Sequence, residues 1–96
     1  LDILMETVPA HLDPEEIRGA LLDVDGVRAL HCLHVWTIGS GEVSLSSHLV
    51  VDAAIDPEDL LEGVRRRLAE RFAIVHTTIQ IEPAGLEAEP ATPCRD

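Results

Sequence analysis

The chain has 96 residues, with 7 Lys plus Arg against 18 Asp plus Glu, and a formal net charge of −11 at pH 7. Clustered positive charge holds a phosphate backbone and this chain repels one, which sets nucleic acid aside as a partner. Hydrophobic residues at 46% set aside a disordered acidic tail; with aromatics at 2%, one small core must be built from Leu, Ile, Val and Ala.

In chain order, Asp13-Pro14-Glu15-Glu16 predicts a helix start: Asp caps an orphan N–H, Pro at the first position needs none, and the Glu pair suits the dipole. Ile17, Ala20, Leu21 and Val24 then form one apolar stripe over about three turns, which Asp25-Gly26 ends. Residues 27–36, rich in Val, Leu and Ala, read as a strand. Gly39-Ser40-Gly41 supplies a turn. In residues 42–51, Val43, Leu45, Leu49 and Val51 alternate with Ser44, Ser46 and His48, so a hairpin is expected with one face on helices and one open.

The helix signal repeats at Asp56-Pro57-Glu58-Asp59, with Leu61, Val64, Leu68 and Phe72 as its stripe and Arg65, Arg66, Arg67 and Arg71 toward the C-terminal end. A last strand over residues 75–82 puts Val75, Thr77, Ile79 and Ile81 on one face and His76, Thr78, Gln80 and Glu82 on the other. The order αββαβ predicts an α+β, ferredoxin-like sandwich: two helices on one face of a three-stranded sheet, a split βαβ that lacks or truncates its first strand, with residues 1–7 as either that short strand or a linker. Residues 84–96, with prolines and no apolar period, read as a flexible tail. No stretch approaches the roughly 18 to 20 apolar residues of a membrane span, and no signal peptide opens the chain.

Chemistry concentrates in the histidines. His31 and His34 fall on the first strand, His48 on the second and His76 on the third. Alternation sends His48 and His76 to the open sheet face, whereas a regular first strand admits only one of His31 and His34 there. Imidazoles with a nearby carboxylate, Glu82, and a thiolate, Cys94, form a borderline-soft set that favours zinc over calcium and magnesium. Cys32 and His34, two apart on a strand, do not meet as a nucleophile and base, so Cys32 reads as a packed thiol. Two thiols fit a reducing compartment better than a disulfide framework. Trp36 reads as a core or interface anchor, the Arg run as a solvated helix face, and His11 as an exposed loop residue.

The stretches Leu4-Met5-Glu6 to Pro9, Gly26-Val27, His31-Cys32-Leu33-His34-Val35-Trp36, Ser47-His48-Leu49 and His76-Thr77-Thr78-Ile79-Gln80-Ile81-Glu82 closely resemble the C-terminal cytoplasmic domain of the cation diffusion facilitator family. These are the zinc and cadmium efflux transporters of the CzcD type. The resemblance covers about residues 1–83. It implies a metallochaperone-like domain that dimerises below six transmembrane helices, with residues 1–10 as the linker from the membrane and 11–83 as the metal-binding unit. The ligand positions it implies are His31, His48, His76 and Glu82, with Cys94 as a tail addition. The expected ion is Zn2+, with Cd2+, Co2+ and Ni2+ as further candidates.

The family's intramembrane transport residues are not in this chain. A regulatory homodimeric domain of a heavy-metal exporter is therefore expected rather than an enzyme. The alternatives are a metallochaperone-like domain that delivers metal, and an ACT-like small-molecule sensor binding near Gly39 and Gly41.

Overall fold

The computed structural model describes residues 9–39 and 41–84. The proposed linker up to residue 8, the tail from residue 85 and the candidate ligand Cys94 lie outside the described residues. The elements are α1 (Pro14–Leu22), β1 (Val27–Ile38), β2 (Glu42–Val51), α2 (Pro57–Phe72) and β3 (His76–Pro83), the expected αββαβ order.

Both helices start where their caps predict. The Asp13 carboxylate accepts from Glu15 N at 2.9 Å, and that of Asp56 from Glu58 N at 3.1 Å. Each satisfies one donor that a helix start leaves without an intrahelical partner. After α1 the chain turns through Gly26, whose φ of +96° is open to glycine and whose absent Cβ matters: one built there lies 2.9 Å from Ile55 and Leu60. Arg67 is not merely solvated. Its guanidinium donates to the Ala20 carbonyl at 3.1 Å, tying α2 to the last turn of α1, where carbonyls lack intrahelical partners.

Two apolar positions differ from the expected pattern. The stripe of α2 is Leu60, Val64, Leu68 and Phe72, not Leu61. After α2, Ala73 adopts a left-handed cap with φ +58°, donating to the last turn while Ile74 N donates to Leu68 O at 3.1 Å. That turn drives Ile74 fully into the core and leaves Val75 68% exposed, so Val75 does not join the buried face of β3.

The sheet order is β1-β2-β3, with β1 and β2 antiparallel and β2 and β3 parallel. No strand splits β2 from β3 among the described residues; α2 makes the crossover between direct neighbours. The helices cover one sheet face, where Leu45, Leu49, Val64 and Leu68 are fully buried. The other face carries Ser44, Ser46 and His48 from β2, alongside His76, Thr78 and Gln80 from β3 in matching register.

Candidate metal centre

The site begins with an irregularity in β1. His31 pairs with His48, yet the next aligned pair is His34 with Ser46, so three steps along β1 match two along β2. The extra residue makes a β-bulge, and Cys32 within it has φ +58°, a conformation a cysteine rarely adopts. Its consequence is that His31 and His34 both stand at open-face positions, which a regular strand forbids. The buried hydroxyl of Ser47, opposite the bulge, donates to the His31 carbonyl at 3.3 Å and so satisfies an acceptor that the broken ladder leaves over.

Across the strands, the His31 and His48 rings meet edge to face with centroids 4.9 Å apart. Glu82 joins them from β3. One carboxylate oxygen, Oε1, lies 3.0 Å from His31 Nε2 in a hydrogen bond. The other, Oε2, lies 3.0 Å from His48 Nδ1 and accepts from Gln80 Nε2 at 3.2 Å. All three side chains keep partial access to solvent, at 37%, 34% and 22% exposure for His31, His48 and Glu82. The His31 hydrogen bond, reinforced by the positive potential of both imidazoles and opposed by burial, holds the Glu82 carboxyl below its ordinary value. Glu82 is therefore a charged oxygen donor at neutral pH.

Cys32 stands beside the group. Its Sγ is 3.5 Å from His31 Nδ1, and ligand atoms of His31, Cys32 and His48 all lie within 4.8 Å of one another. Tetrahedral zinc, with bonds of about 2.0–2.3 Å, needs its donors about 3.3–3.8 Å apart, so side-chain rotation of about an ångström suffices. The donor chemistry of two imidazoles and a charged carboxylate fits a zinc-class ion.

The remaining expected residues lie elsewhere. His76 is on the open face but at the start of β3, opposite Ser44, while Glu82 is six residues further along, opposite Val50. That distance is roughly 20 Å of strand. His76 instead pairs with Glu42, Nε2 to Oε1 at 2.6 Å, so within one copy it does not share a centre with His31, His48 and Glu82. His34 stands beside the centre, half-buried, and His11 is exposed in the loop before α1. Cys32, read from the sequence as a packed thiol, is disulfide-bonded. The bulge that brings it to the histidines leaves no trace in residue alternation.

With a two-helix, three-stranded α+β fold carrying a histidine–carboxylate cluster on its open face, residues 9–84 match the family described as the cytoplasmic domain of cation efflux proteins. The chain belongs to that family. Among relatives, it is 45% identical over 82 residues to a probable zinc transporter of Dictyostelium discoideum, covering 85% of this chain and 15% of that protein. It is 41% identical over 88 residues to the metal cation efflux system protein CzcD of Cupriavidus metallidurans, covering 91% of this chain and 28% of that protein. The chain thus spans under a third of the length of these relatives.

Among solved structures, the metal-bound C-terminal domain of that CzcD transporter superposes with a TM-score of 0.71 at 40% identity, over 74% of this chain and 99% of that one. The zinc form of the putative zinc transporter CzrB gives 0.66 at 26% identity, over 85% of this chain and 96% of that one. No helix among the described residues is long and apolar enough to cross a membrane.

Proposed function

We propose that this chain is the regulatory, metal-binding dimerisation unit of a divalent cation exporter, with His31, His48 and Glu82 holding a zinc-class ion. The observation that carries the reading is a single carboxylate set between two imidazoles, each residue coming from a different strand. Family membership and the metal-bound CzcD neighbour support it, and they displace the small-molecule-sensor alternative. His76, engaged with Glu42, is not in the proposed set.

Glu82 lies 3.0 Å from each of the two imidazoles. Binding requires His31 and His48 to exchange that contact for an ion while Glu82 turns an oxygen to the same point. The ion supplies positive charge, and a chain of net charge −11 needs it: two copies repel one another until cations lie between their acidic surfaces. The open sheet face is the surface that pairing would cover. The protomer does not depend on the ion to fold, because the capped helices and the core stand on the opposite face. Metal is expected to change the spacing of two copies rather than their secondary structure.

Calorimetric titration of the chain with zinc, run beside equilibrium sedimentation, tests this. Wild type should bind and its dimer should tighten with zinc; His48→Ala should lose both effects. Unchanged zinc affinity in His48→Ala at pH 7.5, or a strict monomer at saturating zinc, would overturn the proposal.

A further inference from the structure

The two oxygens of Glu82 are held in different ways. Oε1 sits in a hydrogen bond with His31 Nε2 at 3.0 Å. Oε2 lies 3.0 Å from His48 Nδ1, but that buried nitrogen finds no hydrogen-bond partner among the described residues. The hydrogen bond that Oε2 does accept comes from Gln80 Nε2 at 3.2 Å. Gln80 stands two residues before Glu82 on β3, so both side chains are on the open face, and register sets Gln80 directly across from His48.

These contacts respond unequally to a cation. When His31 and His48 turn their nitrogen lone pairs to an ion, they give up the carboxylate. The Gln80 amide nitrogen has no lone pair to offer, because amide resonance engages it, and it stays a donor. Its bond to Oε2 therefore outlasts ion binding, and Oε1 is the oxygen released. We propose that Gln80 is a positioning residue of the centre: it pins Glu82 Oε2 so that the carboxylate meets the ion through one oxygen. This rests on the metal reading above.

Attachment through one oxygen suits a tetrahedral ion, to which each residue gives a single donor. A carboxylate bound through both oxygens adds a donor and belongs with the larger shells of ions such as Ca2+. Neutrality matters as well. A Lys at this position could donate, but its charge would oppose the incoming cation, and an ionised Glu could only accept. Ligating carboxylates are regularly steadied by hydrogen bonds of this kind.

The test compares the whole chain with its Gln80→Met variant, which keeps the length of the side chain and removes the donor. Gln80 is exposed, so the change disturbs no core packing. Zinc affinity of Gln80→Met should be about 10-fold below wild type, the lower end of what losing such a partner costs. In a Glu82→Ala background the same substitution should cost nothing more, because Gln80 acts through that carboxylate. Cobalt supplies a second readout, since tetrahedral Co2+ absorbs visible light more strongly than Co2+ with an added donor. The cobalt-saturated Gln80→Met spectrum should lose intensity as Glu82 takes hold through both oxygens.

Wild-type zinc affinity in Gln80→Met, or a cobalt spectrum of undiminished intensity, would overturn the proposal. An equal loss with and without Glu82 would overturn it too, since Gln80 would then act as a ligand in its own right. If wild type binds no zinc, or Glu82→Ala binds it as tightly as wild type, the underlying metal reading fails, and this one with it.

Discussion

The two ends of the open sheet face both hold a histidine against a glutamate, yet only at one of them do side chains from three strands converge. At the start of β3, His76 and Glu42 make a short pair, 2.6 Å apart, on exposed side chains at 44% and 58% exposure. At its end, Glu82 meets two imidazoles and a nearby sulfur delivered by a bulge. The difference is convergence from three strands. An exposed ion pair is screened by water and contributes little, whereas several half-buried donors aimed at one point can replace the hydration shell of a cation.

The largest expected effect separates the two ends directly. His48→Ala should weaken zinc binding by about 100-fold, the upper end of what disturbing a metal site costs, and His76→Ala should leave it unchanged within calorimetric error. Equal losses would erase the contrast.

Protonation gives the next effect. Metal ions compete with protons for their ligands, so zinc affinity should fall as the pH is lowered, and the Glu82 carboxylate, held below its ordinary value by the His31 hydrogen bond, keeps its charge further into acid than a free one. In the metal-free chain the same lowering has a definite sign. The stability that Glu82 contributes is present above the ordinary carboxylate range and lost as pH falls through its lowered value. Urea denaturation should therefore show Glu82→Gln less stable than wild type at pH 7, with the gap closing in acid.

Ser47→Ala probes what holds the bulge. It removes the hydroxyl donated to the His31 carbonyl, and should cost about 1 kcal/mol in denaturant unfolding together with a measurable loss of zinc affinity. The smallest effect lies far from the centre. Ala73→Gly relaxes the left-handed cap after α2 and should raise stability by about 0.5–1 kcal/mol, with zinc binding unaltered.

Much of this was legible in the residues. The Asp-Pro-acidic-acidic pair fixed both helix starts, and alternation in β2 and β3 placed His48 and Glu82 on the open face. Alternation assigns a face but not a neighbour. Pairing register decides that, and it sets His76 some 20 Å along its own strand from Glu82. The bulge was invisible for a related reason: Cys32 has no sequence mark of a positive φ such as Gly or Asn, and the irregularity exists only in the pairing of β1 with β2. Leu60 and Leu61 are adjacent and equally apolar, so only packing against α1 and the sheet chooses between them. Val75 looked buried until the cap at Ala73 turned it outward.

Among the described residues the sheet has three strands, so β1 and β3 are its two edges there and neither is the other's neighbour. The reach of Glu82 over β2 to His31 therefore works as a cross-brace between margins that could otherwise twist independently. Amide exchange along the last turns of β3, up to the Ala84 N–H bonded to Val51 O at 2.8 Å, should slow when the brace is tightened and quicken when Glu82 or His31 is truncated. What happens at three side chains would then be felt as stiffness where the chain leaves the sheet.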